Sequence, residues 1–301
     1  MRQDTRAEAE AAVPAITGRI AARFGLTLSR RRFLMRAAAA MAVAAAGDVG
    51  YTFSPRITRR SLWFPSLPDG WDGARVLHLS DFHHGPLGPG AYLQRVFEQA
   101  RALPHDIAFL TGDFVSESSR FASIYPDLLR GWSPPLGVWA TLGNHDHYYE
   151  PEVVRQAVMR AGAPVLTNQA TRLTRNGDPL WLIGVDDPST DNHDLPAAMR
   201  PVRDKAFRLL LAHSPDIVWS LGDSEVDLVL TGHTHGGQVC LPNGAAVVCP
   251  TNLGPDYARG RFLWRSATLY VNRGIGVVGL PFRAFCPPEI ALLTLRRGIE
   301  P

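Results

Sequence analysis

Cysteine is scarce in this sequence: Cys240, Cys249 and Cys286 are the three among 301 residues. None forms a C-x-x-C pair and no histidine pattern accompanies them, which argues against a zinc ribbon. A Cys240–Cys249 bridge is disfavoured because the two-residue Asn243-Gly244 turn between them would not set them directly opposite. All three read as small buried hydrophobes. The apolar run Ala37 to Ala46 is too short and too alanine-rich to span a bilayer comfortably. Charge of one sign is also in short supply. The net charge is +3, and much of the excess lies before residue 61, in Arg30, Arg31, Arg32, Arg36, Arg56, Arg59 and Arg60. The remainder is near balance and carries no basic stripe, so no nucleic-acid partner is expected. The early arginines suit targeting and contact with an anionic surface. Internal repeats are absent, as is any low-complexity tract beyond the alanine run.

What is present points to a folded α/β protein. Hydrophobic residues make up 46% and charged residues 20%, a balance that favours a packed core over disorder. The length accommodates a leader and one large domain. Residues 29–36 read Ser-Arg-Arg-Arg-Phe-Leu-Met-Arg and precede the alanine run, with Ala44-Ala45-Ala46 as a candidate cleavage site. This order resembles the twin-arginine export signal, which implies a twin-arginine translocase as partner. Residues 1–50 are therefore expected to be a leader, 51–73 an extended linker rich in proline and glycine, and 74–297 the functional domain. The leader directs the chain across the inner membrane or anchors it there, with anchoring at the cytoplasmic face as the alternative.

Within the domain, apolar strands alternate with helical stretches. Strands are expected at residues 74–79, 106–111 and 137–142, and helices at 91–103, 123–130 and 151–161. The pattern then turns strand-rich: residues 170–174, 180–185, 207–212, 227–231, 245–248, 268–272 and 289–295. The fold class is α/β, with two packed mixed β-sheets flanked by helices in a four-layer sandwich.

Five polar strings directly follow apolar strands: Ser80-Asp81-Phe82-His83-His84-Gly85, Thr111-Gly112-Asp113, Gly143-Asn144-His145-Asp146, Ala212-His213-Ser214 and Thr231-Gly232-His233-Thr234-His235-Gly236-Gly237. Sites in α/β folds form at the C-terminal ends of strands, so the five are expected to converge. Imidazole with carboxylate and no thiolate suits divalent Mn, Fe, Zn or Co. In Asp81-x-His83 the alternation of a strand would aim both side chains at one ion. His233-x-His235 can serve one ion or two, and Asp113 can bridge.

The order Asp-x-His, Gly-Asp, Gly-Asn-His-Asp, His, Gly-His-x-His resembles the calcineurin-like metallophosphoesterase superfamily over about residues 74–296. Longer pieces, among them Gly-His-Thr-His-Gly-Gly-Gln and Asn-Arg-Gly-Ile-Gly ahead of Pro-Pro-Glu-Ile, are similar to an exported or envelope-associated bacterial branch. That branch includes UDP-2,3-diacylglucosamine pyrophosphatase-like proteins. The resemblance implies two divalent metal ions: Asp81, His83 and His235 on the first, Asn144, His213 and His233 on the second, Asp113 on both. It implies that His145 acts beside the phosphate as general acid or charge stabiliser. Many members carry an acid where this chain has Ser116, which leaves Asp146 or another acid to orient His145.

Two such ions generate a nucleophile from water and clamp phosphoryl oxygens, so neither a covalent intermediate nor an organic cofactor is needed. The expected reaction is hydrolysis of phosphodiester or pyrophosphate bonds of an envelope substrate. Only Arg273 and Arg283 offer the added cationic contacts that a monoester demands. A phosphomonoesterase, a nuclease and a non-catalytic envelope-binding protein are the alternatives. Trp63, Phe64, Trp71 and residues 277–285 read as core, with a lipid or sugar groove as the second option.

Overall fold

The computed structural model describes Ala39, residues 51–222 and residues 225–301. Apart from Ala39, the expected leader lies outside the described residues. In chain order the strands are β1 (Arg56–Phe64), β2 (Arg75–Leu79), β3 (Ile107–Thr111), β4 (Val138–Thr141), β5 (Gln169–Arg175), β6 (Asp178–Gly184), β7 (Arg208–Leu211), β8 (Leu228–Thr231), β9 (Gly260–Trp264), β10 (Ala267–Val271) and β11 (Glu289–Arg297). The helices are α1 (Gly90–Ala102), α2 (Tyr125–Leu129), α3 (Asn144–Tyr148), α4 (Pro151–Arg160) and α5 (Leu195–Met199).

The strands form two mixed sheets, one in the order β1-β11-β2-β3-β4 and one in the order β5-β6-β7-β8-β10-β9. β2, β3 and β4 run parallel, as do β6, β7, β8 and β10. Side chains alternate across each sheet. Leu209, Leu211, Leu228 and Leu230 meet Val76, Ile107 and Phe109 in the core between the sheets. Leu210 and Val229 face outward into a second core that includes Leu195 and Ala198 of α5. On the other side, Leu77 and Leu79 pack against Leu93, Val96, Phe97 and Ala100, one face of α1. All five residues of β3 are buried, as a parallel strand covered on both faces requires. The expected layered sandwich is therefore present.

Four local expectations need correction. Residues 56–64, expected within a linker, form an edge strand paired in parallel with β11 from Arg56↔Glu289 to Phe64↔Arg297. Only Leu62 and Phe64 of this strand are buried, so its apolar alternation is too short to read. Exposed Arg56, Arg59 and Arg60 on such an edge discourage further pairing. Residues 245–248 are not a strand; a single bridge, Cys240↔Ala246, spans the Asn243-Gly244 turn. β9 went unread because it alternates half-buried with exposed positions at the sheet edge. Finally, α2 is short, and a 3-10 turn over Ser119–Ile124 precedes it. Among the described residues, no helix is long and apolar enough to cross a membrane.

Candidate metal centre

The five polar strings meet at one edge of the sandwich, where β2, β3, β4, β7 and β8 end. Three overlapping triads result: Asp81 with His83 and His235; His83 with Asp113 and His145; Asp113 with His213 and His233. In each triad the ligand atoms lie within 4.8 Å of one another. Asp113 joins the second and third triads, with Oδ2 at 3.2 Å from both His83 Nε2 and His213 Nε2. His235 Nε2 is 2.9 Å from His83 Nε2 and 3.4 Å from Asp81 Oδ1, and His233 Nδ1 is 3.2 Å from His213 Nε2. Asn144 starts α3 with its Oδ1 buried and without a hydrogen-bond partner.

The backbone sets this geometry. Asp81, His83, Asp113, His233 and His235 all have positive φ, between 46° and 69°. For residues other than glycine that conformation costs energy and persists where surrounding structure enforces it. Asp81 and His83 thus lie beyond the end of β2, and left-handed turns rather than strand alternation aim them. Two glycines admit the close approach. A Cβ on Gly143 would come within 2.6 Å of Asp113 N, and one on Gly232 would overlap Ser80 Oγ and Asp81 Oδ2. The carboxylates also bind the loops: Asp81 Oδ1 accepts from His233 N at 2.9 Å, and Asp113 Oδ1 from His145 N at 2.9 Å.

Asp146 does not orient His145. Its Oδ1 accepts from Phe114 N and Val115 N, and its Oδ2 from Gly143 N, tying the Asn144 turn to the loop after β3. Ser116 contacts His83, with Oγ 2.8 Å from Nδ1. The His145 ring stands edge-on to His83, 4.6 Å between centroids, and its Nδ1 is buried without a partner. Arg283 is fully buried and is not a phosphate clamp. It donates to the carbonyls of Gly276, His235 and Cys286, and its Nη2 lies 3.2 Å from His235 Nδ1. Asn272 and Glu289 serve the platform: Asn272 Nδ2 donates to His78 O, and Glu289 accepts from Tyr270 Oη and Arg273 N. Phe64 and Trp71 belong to the core between the sheets, as the plainer expectation held.

Sequence reasoning missed one residue, Asp187, just beyond β6. It is fully buried, and neither carboxylate oxygen has a hydrogen-bond partner. Burial raises its pKa, opposed chiefly by the charge of His213. The Val185-Asp186-Asp187 string after an apolar strand was the available signal, but it lacks an imidazole.

Electrostatics favours cation binding. Burial alone would raise the Asp113 carboxyl, yet the imidazoles of His213, His145 and His83 hold it well below the usual carboxylate range. Burial pushes His145 down to about 4 and His233 to about 3. Burial would also lower His213, but Asp113 raises it well above its ordinary value. Paired ring nitrogens at hydrogen-bond distance and an orphaned amide oxygen make poor neighbours for one another. The same set of imidazole, carboxylate and amide donors fits divalent cations.

A sequence model of the family described as calcineurin-like phosphoesterase matches residues 74–237, more than half of the chain and all five strands that carry the polar strings. The chain belongs to the calcineurin-like phosphoesterase family. This metal-dependent phosphoesterase is 32% identical to the metallophosphoesterase YkuE of Bacillus subtilis (strain 168), over 89% of this chain and 98% of that protein. It is 29% identical to the phosphodiesterase YaeI of Escherichia coli (strain K12), over 89% of this chain and 99% of that one. It is 28% identical to the UDP-2,3-diacylglucosamine pyrophosphatase LpxG of Chlamydia trachomatis, over 79% of this chain and 88% of that one.

Proposed function

We propose that this phosphoesterase holds two divalent ions and hydrolyses phosphodiester or pyrophosphate bonds of a lipid-linked or nucleotide-sugar-lipid envelope substrate. Asp113, placed between two imidazole clusters, is the observation that carries the reading. Asp81, His83 and His235 would hold one ion, and Asn144, His213 and His233 the other, with Asp113 touching both. Divalent ions there supply Lewis acidity toward phosphoryl oxygen and a nucleophile from water at neutral pH.

The chain's own residues do the rest. The left-handed turns fix donor positions before substrate arrives, so little reorganisation is left for the reaction. Burial keeps the His145 ring neutral, so it serves by donating a ring N–H to the phosphoryl or leaving oxygen. Ser116 Oγ sets the rotation of the His83 ring. With Arg283 committed to carbonyls beneath the site, Arg273 is left as the candidate cation, which favours diesters over the more highly charged monoesters.

Relatives named as a phosphodiesterase and as a UDP-2,3-diacylglucosamine pyrophosphatase support this substrate class. The Ser29–Leu34 string supports export through the twin-arginine translocase, and cell fractionation of an Arg30→Lys/Arg31→Lys variant examines that part. The reaction itself is tested with Mn²⁺ on an aryl phosphodiester and the matching monoester. The diester should have the higher kcat/KM; a clear advantage for the monoester would overturn the reading and favour a phosphomonoesterase.

A further inference from the structure

Two of the three cysteines, remote in sequence, meet directly behind the loop that presents His235. Cys240 and Cys286 are both buried. Their sulfurs converge on one carbonyl, with Cys240 Sγ 3.3 Å and Cys286 Sγ 3.2 Å from Gly236 O. They also share one guanidinium nitrogen, Arg259 Nη1, at 3.1 Å and 3.8 Å. The two thiols are near enough to interact.

The backbones run side by side there. Val239 bridges Ala284 in parallel, Cys240 N donates to Ala284 O at 2.8 Å, and Ala284 N donates to Gln238 O at 3.0 Å. Cys240 follows Val239 by one residue and Cys286 follows Ala284 by two, so the cysteines are diagonal neighbours across the paired backbones, within the Cα separation that a disulfide spans. Cys249, half-buried, is outside this pair.

We propose that Cys240 and Cys286 are a covalent site, a dithiol that closes to an intrachain disulfide and ties the His235–Cys240 loop to the segment entering β11. The co-reactant is a disulfide oxidant, either a small molecule or an oxidised dithiol protein. One cysteine sulfur attacks the oxidant's S–S bond and releases the first thiol, leaving a mixed disulfide. The second cysteine sulfur attacks the protein sulfur of that mixed disulfide and releases the second thiol. Two S–H protons and two electrons leave the protein, and the oxidant becomes two thiols.

The consequence falls on the loop. Reduced, the two thiols and Arg259 hold Gly236 O by hydrogen bonds alone. Oxidised, the loop carrying His235 is fixed covalently while its thiol contacts are replaced by one bond. The inference is independent of which phosphoester is hydrolysed.

The test is peptide mass spectrometry on the full chain refolded with oxidised glutathione, with dithiothreitol as the reduced control. Refolding with the oxidant present keeps burial from shielding the sulfurs. The expected product is a Cys240–Cys286 linked peptide lighter by two hydrogens, with Cys249 alkylated or glutathionylated. Either Cys240→Ser or Cys286→Ser should abolish the link, and the disulfide-bonded protein should melt at a higher temperature than the reduced protein. Links involving Cys249, glutathione adducts alone at Cys240 and Cys286, or a linked form with a lower melting temperature would each overturn the proposal.

Discussion

Arg283 Nη2 lies 3.2 Å from His235 Nδ1, and the arginine is fully buried with its remaining donors on backbone carbonyls. This arginine sits beneath the candidate metal site and steadies the ring of a candidate ligand. Arg283→Met would leave the carbonyls of Gly276 and Cys286 without their donor, while His235 O keeps the Gln238 N–H. At roughly 1–3 kcal/mol for each buried group left unsatisfied, a loss of about 2 kcal/mol or more is expected. Urea unfolding measures it, and metal analysis should show weaker retention. A fully stable variant with only a raised KM would return Arg283 to the role of substrate clamp.

His145 should be separable from metal binding. His145→Ala is expected to lower kcat by roughly 10²–10⁴ with metal content nearly intact. Parallel kinetics and metal analysis decide this. Wild-type turnover would remove His145 from the reaction, and loss of metal would make it a ligand.

Asp187 presents a buried carboxylate with no partner, an arrangement that costs stability unless function uses it. Asp187→Asn keeps the shape and removes the charge. We expect reduced turnover with an unchanged or raised melting temperature. Unchanged turnover would mean that Asp187 plays no part in the site.

The His147–Asp186 pair, 2.5 Å apart, joins α3 to the loop after β6. Burial alone would lower His147, but Asp186 raises it above its ordinary value. The folded state therefore binds this proton more tightly than the unfolded state. The pair's contribution is fully present below the unfolded histidine value of about 6.5 and is lost as pH rises through the folded value. Asp186→Asn should remove that part of the pH dependence, the loss of stability as pH rises above the unfolded histidine value, in urea midpoints. Identical pH slopes in the variant and the wild type would contradict the assignment.

The candidate ligand set was legible because each member sits in a short polar string directly after an apolar strand, where local order alone carries the information. Asp81 and His83 were read correctly as neighbours, though for the wrong geometric reason, since left-handed turns aim them. Contacts between distant strings were not legible. Asp146 engages the backbone of residues 114 and 115, and Ser116 meets His83 only because the loops after β2 and β3 fold together. β1 escaped notice because its pairing with β11 joins opposite ends of the domain, and so did the meeting of Cys240 with Cys286.

The central claim, that Asp113 joins two metal sites, is tested most directly by metal analysis of wild type and Asp113→Asn purified without chelator. The account predicts about two divalent ions per wild-type chain. It also predicts that chelator abolishes activity and added metal restores it. Asp113→Asn should lose more metal and more activity than any other single ligand substitution. Wild-type protein with almost no metal, and activity indifferent to chelator, would contradict it.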